Sequence, residues 1–559
     1  MEIWVANSLE KIFFNTRKPS RASRRIELAC ARNETEDAQI VVRSNENIER
    51  LSVEFSDLKR SGKRLTVDHI SAQFVWCVPV IHNTRDNGNG RYIIRNAPDF
   101  FPDALVSLPE ISVEKNRAQS IWISVRVPGD ASPGSYKGKI KVSVDRRDVD
   151  IPITVQVHPF EIPQQPSLFM TNWLSIESLE HFFNVKRFSE EWWGLIDKVA
   201  ANMAAHRQNV ILTPFQKLVR FVKTEIGFRA EFSQLDRWIE TFLNHGVAEL
   251  IEGTHLAGRS EDLESELSFL PFTIYNSDGG QHLLPSVSVK DEDRQYLVRV
   301  FMSQIYEHLD ERGWAARLVQ HLADEPVEAN ADSYRYLSEF IRGVLPSVPR
   351  IDAVMNNGLE GAVDIRVPQI QEIDDDIENR PANEQLWFYT CLAPQGPHPN
   401  RFIDFSSLKT RIIHWMNWRY QATGYLHWGY NYWRQWQGSE FCNPYYTATG
   451  ESERLATGMT PLPPGDPCIV YPGEGDVNNS IRWEMVRKGM EDYEYLKILE
   501  ERIASTKPSR PAVKKGLQVL DHVRNKVVPS HTKYVNSDEN FLKARSELTK
   551  AILGFGKKR

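Results

Sequence analysis

Short runs in which apolar and polar residues alternate dominate the N-terminal part of the chain. SIWISVRV at 120–127 and GKIKVSV at 138–144 place an apolar side chain at every second position, which is typical of strands with one buried face. The turn-forming sequence PGDASPGSYKG at 128–138 lies between them. The pattern predicts an antiparallel β-sandwich over residues 1–160.

A different pattern follows VHPFEIPQQPSL at 157–168, whose three prolines neither a helix nor a central strand tolerates. Beyond this predicted linker, eight apolar runs of strand length alternate with segments of helical periodicity. The runs are LFMTNWLSI (168–176), NVILTPF (209–215), VAELIEG (247–253), ARLVQHLA (316–323), RIDAVM (350–355), DIRVPQI (364–370), LWFYTCLA (386–393) and GYLHWGYNYW (424–433). They predict a (β/α)8 TIM-like barrel over residues 161–480, with a doubly wound open sheet as the alternative.

The last part of the chain reads as helical. SIRWEMVRKGMEDYEYLKILEERIAS at 480–505 has amphipathic periodicity, and one or two more helices are expected after it. We therefore predict a multidomain protein: an N-terminal antiparallel β-sandwich, a central (β/α)8 barrel and a C-terminal helical extension over residues 481–559.

Composition and charge argue against several classes of protein. The 559 residues carry a net charge of −6 with no long basic stripe, so nucleic acid is not an expected partner. No apolar window is long enough to span a membrane, and the first residues lack the order of a secretory signal, so a cytoplasmic protein is expected. The alternative is a secreted protein whose signal has been removed. The five cysteines are scattered, and nucleotide-binding and zinc-protease motifs do not occur. We expect no metal and no organic cofactor; the oligomeric state is left open, with a homo-oligomer as one option.

Two adjacent acids, Asp324 and Glu325, end the fourth apolar run and are followed at once by Pro326. In a (β/α)8 barrel, catalytic side chains lie at the carboxyl ends of the strands, which would bring both acids to the active-site mouth. Successive strand residues face opposite ways, so both acids reach one cleft only if the strand ends between them, and proline favours such an ending. The structural alternative is that the acids cap the next helix near its positive terminus.

Aromatic residues cluster in GYLHWGYNYWRQW at 424–436. If the strand continues through this segment, Trp428, Tyr430 and Tyr432 share one face and Trp433 lies on the other. Aromatic faces with polar tips suit the apolar faces and hydroxyl edges of sugars, whereas the alternative is a buried aromatic core. The candidate substrate-binding residues near the strand ends are Trp173, Asn356, Tyr389, Trp428, Tyr430, Tyr432 and Trp433.

Three segments together resemble glycoside hydrolase family 123. They are ADEP at 323–326, HWGYNYW at 427–433 and YPGEGDVNNSIRWEMVRKGMEDYEYLKILEE at 471–501. The resemblance extends over about 170–505 and implies a barrel accompanied by an N-terminal sandwich. It also implies a retaining β-N-acetylgalactosaminidase with substrate assistance, in which the 2-acetamido oxygen of the sugar attacks the anomeric carbon.

The same resemblance implies roles for the acid pair. Glu325 would be the general acid and then the general base, and Asp324 would orient the acetamido N–H and stabilise an oxazolinium-like intermediate. Tyr389 is the candidate for the hydroxyl that supports the acetamido oxygen. The implied partner is a glycan that contains N-acetylhexosamine.

Substrate and mechanism have alternatives. A β-hexosaminidase or a glycosidase with another sugar specificity fits the same resemblance. A second mechanism would use Glu325 as the acid and Glu252 as an enzyme nucleophile, and a third interpretation is a carbohydrate-binding barrel without catalysis. Four tail residues could either reach the cleft or form structural salt bridges. These four are Arg482, Glu484, Asp492 and Tyr493.

Overall fold

The structure, a computed structural model, describes residues 1–85, 90–259, 262, 264–355, 358–435, 440–448 and 461–556. Its N-terminal domain is rich in β-strands, as predicted. The strands are β1 (Glu2–Asn7), β2 (Ile26–Arg32), β3 (Thr35–Arg43), β4 (Ile48–Phe55), β5 (Leu58–Arg60), β6 (Lys63–Leu65), β7 (Ile70–Val80), β8 (Asp99–Val106), β9 (Glu110–Val113), β10 (Ala118–Arg126), β11 (Gly134–Val144) and β12 (Arg147–Glu161).

Two sheets make up this domain. One has the strand order β1-β3-β10-β7-β8, and the other has the order β2-β12-β11-β4-β9 with β5 and β6 beside β11. Ile40 and Ile123 from the first sheet pack in one apolar core with Ile140 and Val155 from the second. The alternation of apolar residues therefore builds a sandwich. It is not wholly antiparallel, because β2 runs parallel to β12.

The rest of the chain mixes strands and helices. Its strands are β13 (Phe169–Asn172), β14 (Val210–Thr213), β15 (Arg220–Thr224), β16 (Gly227–Glu231), β17 (Leu250–Gly253), β18 (Ala257–Arg259), β19 (Leu267–Phe269), β20 (Phe272–Tyr275), β21 (Gln281–Leu284), β22 (Val287–Ser288), β23 (Leu318–Gln320), β24 (Ile351–Val354), β25 (Ile365–Pro368), β26 (Gln385–Tyr389), β27 (Gly424–His427), β28 (Tyr471–Pro472) and β29 (Val477–Asn478). The helices are α1 (Ile176–Phe183), α2 (Glu190–Ala205), α3 (Phe215–Leu218), α4 (Ser233–Asn244), α5 (Glu292–Glu311), α6 (Ala331–Val344), α7 (Ile373–Asn379), α8 (Ser407–Arg411), α9 (Ile413–Tyr420), α10 (Ile481–Ala504), α11 (Pro511–His522) and α12 (Asp538–Leu553).

Each of the eight predicted apolar runs contains a strand, and these strands run parallel to their neighbours. The prediction of a closed (β/α)8 barrel is not confirmed. In the described part of the chain, the eight strands form a sheet with the order β13-β27-β26-β25-β24 and a separate sheet with the order β14-β17-β23. The two sheets meet at two seams, and neither seam carries a ladder of strand pairing.

Short strands and one side chain explain the interrupted ladder. Between β23 and β24, a single bridge joins Gln320 to Arg350. Between β13 and β14, the side chain of Asn209 accepts the Met170 N–H at 2.9 Å, so that this backbone donor is not used in a strand ladder. The carboxyl ends of the strands still converge at one edge, where a ligand site is expected.

The C-terminal helix α10 differs from its prediction. Amphipathic periodicity predicts one exposed face, but residues 481–496 are all buried. Charged side chains on α10 are paired with other elements: Arg482 with Asp103 of β8 at 2.8 Å, and Asp492 with Arg411 of α8 at 2.7 Å. Helix α10 is therefore a central element that joins the sandwich to the α/β part.

The described parts of the long connection from 254 to 291 fold into small sheets and bring Arg259, the last residue of β18, towards the end of β23. Among the helices that the structure describes, none has the length and apolar character needed to span a membrane.

Candidate active site

A cavity of about 460 Å³ lies at the carboxyl ends of the parallel strands. Its walls come from the segments that follow β13, β23, β26 and β27. The lining residues are Trp173, Leu174, Ser175, Glu177, Arg259, Asp324, Glu325, Ala353, Tyr389, Cys391, Leu392, Leu426, Trp428 and Tyr432. Acidic, aromatic and apolar groups thus converge in a space of the size that small ligands occupy.

The acid pair lies on a loop beyond the strand. Strand β23 ends at Gln320, so the expectation that the strand ends between Asp324 and Glu325 is wrong. Both side chains reach the cavity because Glu325 has a left-handed backbone with φ of 47°, directly before Pro326. This conformation costs a residue other than glycine about 1–3 kcal/mol, and neighbouring contacts must hold it.

Arg259 supplies such contacts. Its Nη2 donates to the backbone carbonyl oxygens of Asp324 at 2.9 Å and Glu325 at 2.7 Å. The guanidinium therefore holds the loop through its backbone and leaves both carboxyl groups available to a ligand. No motif in the sequence indicated this residue, because the contact joins segments that are 65 positions apart.

Burial raises the pKa of the Glu325 carboxyl, and the negative charge of Asp324 raises it further. The hydrogen bond from Tyr389 and the charge of Arg259 oppose this rise without cancelling it. A carboxyl group with a raised pKa retains its proton nearer to neutral pH, which is the property of a general acid.

Asp324 faces the cavity, but the surrounding protein still limits its solvation, and this raises the pKa of its carboxyl. Arg259 opposes the rise most strongly, Asp352 adds to it, and His321 opposes it. Both carboxyl groups of the pair therefore have raised pKa values, and the ionisation of each affects the other.

Tyr389 ends strand β26 and points at the acid pair. Its hydroxyl donates to Glu325 Oε1 at 2.5 Å, and only 3% of the residue is exposed. Burial and the charge of Glu325 raise the pKa of Tyr389 well above its ordinary value, so the hydroxyl stays a donor. The structure thus brings this candidate residue into contact with the predicted pair.

Of the other aromatic candidates, Trp173, Trp428 and Tyr432 line the cavity. Trp428 and Tyr432 also contact each other edge to face, with ring centroids 5.2 Å apart. Their surfaces form an aromatic wall near the acid pair, as sugar binding requires.

Tyr430 and Trp433 lie elsewhere, because β27 ends at His427 and the predicted alternation stops there. The Tyr430 hydroxyl donates to Asn202 at 2.9 Å, and Trp433 Nε1 donates to the Val470 carbonyl at 2.9 Å. Both residues are buried in the apolar core. Asn356 lies outside the described residues.

A buried polar network forms the floor of the site. His321 Nε2 contacts Glu252 Oε1 at 2.6 Å, and His321 Nδ1 contacts Asp352 Oδ1 at 2.8 Å. Burial alone would lower the pKa of His321, but the two carboxylates outweigh it and raise the pKa to about 10. Burial and the charge of His321 instead lower the pKa of the neighbouring His255 to about 4.

This network also bears on metal binding. His255, His321 and Asp352 have ligand atoms within 4.8 Å of one another, the one such grouping found in the described ranges. Both ring nitrogens of His321 are already bonded to carboxylates. As arranged, the cluster is explained by an imidazolium that donates one N–H to each of two carboxylates, an arrangement that needs no ion.

Two other carboxylates, Glu252 and Glu177, lie near the acid pair but are held by other partners. Glu252, the alternative from the sequence, is fully buried, does not line the cavity, and also accepts from Thr171 at 2.6 Å. Glu177 lines the cavity, but Lys217 and Arg187 pair with it; they outweigh burial and lower its pKa. Both carboxylates have structural partners.

The four tail candidates lie outside the cavity lining. Arg482, Glu484 and Asp492 are in buried ion pairs. Tyr493 is 7% exposed and packs in the apolar core. The structural alternative from the sequence therefore holds for these ion pairs.

Asp352 was missed by the sequence reasoning, although its signal was present. It is an acid inside the apolar run RIDAVM, where a charge needs a partner.

Glycoside hydrolases use a pair of carboxyl groups to cleave the glycosidic bond, and the cavity presents such a pair beside an aromatic wall. Comparison with protein families agrees: the glycoside hydrolase 123 catalytic domain matches residues 173–499, and the glycoside hydrolase 123 N-terminal domain matches residues 8–144. The chain belongs to glycoside hydrolase family 123, and the resemblance of its sequence segments is confirmed.

A solved family 123 structure shares the fold. A family 123 glycoside hydrolase from Clostridium perfringens, studied for glycolipid glycan hydrolysis, superposes with a TM-score of 0.72 at 14% identity, covering 99% of this chain and 98% of that one. A GH10 xylanase with a bacterial Ig-like domain from termite gut has a TM-score of 0.33 at 9% identity, covering 84% and 100%. No curated protein matched the sequence.

Proposed function

We propose that this glycoside hydrolase removes terminal β-linked N-acetylgalactosamine from glycans, with retention of configuration and with the 2-acetamido group of the sugar as nucleophile. The observation that carries the proposal is the adjacency of Asp324 and Glu325 on one loop of the cavity, while Glu177 and Glu252 are engaged elsewhere. A retaining enzyme with its own nucleophile needs a free carboxylate about 5–5.5 Å from the acid, on the opposite face of the sugar. Among the described lining residues, no carboxylate without an ion-pair partner faces the acid pair in this way.

In the first step, protonated Glu325 gives its proton to the glycosidic oxygen. The acetamido oxygen forms a bond to the anomeric carbon as the bond to the leaving oxygen breaks, which yields an oxazolinium ion and ionised Glu325. In the second step, Glu325 takes a proton from water. The water oxygen attacks the anomeric carbon, and the bond from that carbon to the acetamido oxygen breaks, which opens the oxazolinium ring. Two inversions at one carbon give net retention, and Glu325 regains its proton.

Asp324 and Tyr389 would act on the acetamido group. The ionised Asp324 accepts a hydrogen bond from the acetamido N–H, which increases the nucleophilicity of the carbonyl oxygen and balances the charge of the oxazolinium ion. The Tyr389 hydroxyl, which donates to Glu325 in the unliganded site, would turn to donate to the acetamido oxygen when the sugar binds. Trp173 and Trp428 would pack against the apolar faces of the sugar.

A hydrolysis panel tests the proposal. The p-nitrophenyl β-glycosides of N-acetylgalactosamine, N-acetylglucosamine and galactose are compared with wild type, Glu325→Gln and Asp324→Asn. The matched control is Glu328→Gln, which alters an exposed acid three residues after Glu325 and outside the cavity lining.

We expect wild type and Glu328→Gln to cleave the N-acetylgalactosaminide fastest and the galactoside not at all. Each site variant should lose about 10²- to 10⁴-fold in kcat, the usual contribution of acid–base groups. Preference for N-acetylglucosamine would keep the mechanism but change the sugar to that of a β-hexosaminidase. Cleavage of the galactoside, or no cleavage of any substrate, would contradict the proposal.

A further inference from the structure

His321 connects two parts of the cavity that are not adjacent in sequence. Its ring lies between Glu252 and Asp352, and all three side chains are fully buried. Through Glu252 the network reaches Trp173, whose Nε1 donates to Glu252 Oε1 at 3.0 Å. The His321 ring also contacts the Trp173 ring edge to face, with centroids 5.6 Å apart.

Through Asp352 the same network reaches the acid loop. Asp352 Oδ2 accepts the backbone N–H groups of Leu322 at 2.9 Å and Ala323 at 3.2 Å. The Tyr334 hydroxyl donates to the same oxygen at 2.6 Å. Ala323 directly precedes Asp324, so the position of the loop depends on the hydrogen bonds that Asp352 accepts.

We propose that His321 is a positioning residue: its imidazolium fixes the acid loop relative to Trp173 and electrostatically favours the ionised form of Asp324. This inference rests on the proposed roles of Asp324 and Glu325. It adds to the site a charged group that touches no substrate.

The charged groups around Asp324 determine in which direction each substitution shifts its pKa. Arg259 and His321 favour its ionised form, whereas Asp352 and the neighbouring Glu325 disfavour it when they are charged. Around His321 the charged groups are Glu252 and Asp352, and His255 is neutral because burial and His321 lower its pKa. Removing the imidazolium should therefore raise the pKa of Asp324, and removing the Asp352 charge should lower it.

Three variants separate charge from structure. His321→Gln removes the cation, and Asp352→Asn removes an anion while keeping the shape of the side chain. Tyr334→Phe is the control, because it removes one hydrogen bond from Asp352 without changing a charge. The kcat/KM of each variant is measured across the pH range with the best substrate of wild type.

In His321→Gln we expect kcat/KM to fall about 10²-fold, the cost of a small misplacement of catalytic groups, and its acid limb to move to higher pH. In Asp352→Asn the acid limb should move to lower pH, and in Tyr334→Phe it should not move. The alkaline limb should move little in all three, since Glu325 titrates there. Shifts in the same direction in both charge variants, or no shift in either, would overturn the inference.

A second readout does not depend on activity. ¹⁵N NMR of histidine-labelled wild type, with the His321 signals assigned by their loss in His321→Gln, should show an imidazolium above neutral pH; a neutral ring there would overturn the inference. If wild type cleaves none of the acetamido sugars, the proposed function has failed. If wild type is active but the acid limbs of His321→Gln and Asp352→Asn do not move in opposite directions, only the role of His321 has failed.

Discussion

The Tyr389→Phe variant, which lacks one hydroxyl, tests how Tyr389 affects the rate and the pKa of Glu325. This hydroxyl donates to Glu325 Oε1 at 2.5 Å and lies on a side chain that is almost completely buried. A hydrogen bond to a charged group contributes about 1.5–3 kcal/mol. If this bond, or its counterpart to the acetamido oxygen, is used in the transition state, its loss lowers kcat/KM by about 10- to 150-fold, at about 1.36 kcal/mol per factor of ten.

The direction in which Tyr389→Phe should move the alkaline limb of kcat/KM follows from the pKa of Glu325. The hydrogen bond from Tyr389 stabilises ionised Glu325 and so lowers its pKa from the value that burial and Asp324 would give. Without the hydroxyl, the pKa of Glu325 rises further and the acid keeps its proton to higher pH. The alkaline limb of kcat/KM should therefore move to higher pH while the maximal rate falls.

Tyr425→Phe is the matched control. Tyr425 lies on the neighbouring strand β27, is fully buried, and its hydroxyl is 2.7 Å from that of Thr390, outside the cavity lining. This variant loses the same atom and should keep both the rate and the alkaline limb. A Tyr389→Phe enzyme within about twofold of wild type, or one whose alkaline limb moves to lower pH, would refute the reasoning.

Other substitutions have outcomes set by burial and charge. Asp103→Asn leaves the buried Arg482 guanidinium without its ion-pair partner, and urea unfolding should show a loss of about 3–5 kcal/mol. Trp428→Ala removes part of the aromatic wall and should raise KM about tenfold with a smaller change in kcat, measured by steady-state kinetics. Tyr430→Phe should keep kcat/KM, because its hydroxyl lies in the core, and lose about 1 kcal/mol in the same unfolding assay. The stability advantage of wild type over His321→Gln should be complete below about pH 6.5, the ordinary pKa of histidine, and should disappear as pH rises towards about 10.

The sequence allowed the parallel strands to be predicted because each is a short apolar run bounded by turn-forming or helical sequence. Closure into a barrel could not be predicted in the same way. It depends on pairing at the two seams, and there the side chain of Asn209 and the three-residue strand β23 interrupt the ladder. Such details are set by contacts between distant segments rather than by local pattern.

The candidate site was predicted in part. The rule that functional groups follow strand ends predicted Asp324 and Glu325 at the mouth of the site. The prediction holds even though β23 ends a few residues earlier, at Gln320. Alternation assigned Tyr430 and Trp433 to the cleft only because the strand was extended beyond His427. Once the chain leaves the strand, alternation carries no information about side-chain direction.

Long-range partners account for what the sequence could not indicate. Arg259 acts through backbone carbonyl groups 65 and 66 positions away. The sequence offered structural salt bridges for the charges on helix α10 but could not name their partners, many of which lie far away along the chain. Arg487, for example, pairs with Asp37 at 2.6 Å across 450 positions.

Substrate assistance is tested most directly by weakening the nucleophile within the substrate. Aryl β-N-acetylgalactosaminides whose acetyl methyl carries none, one, two or three fluorine atoms differ little in size but decrease stepwise in the nucleophilicity of the carbonyl oxygen. Attack by that oxygen on the anomeric carbon predicts that kcat falls steeply at each step. A kcat that stays level across the series would contradict it and would require a nucleophile from the enzyme.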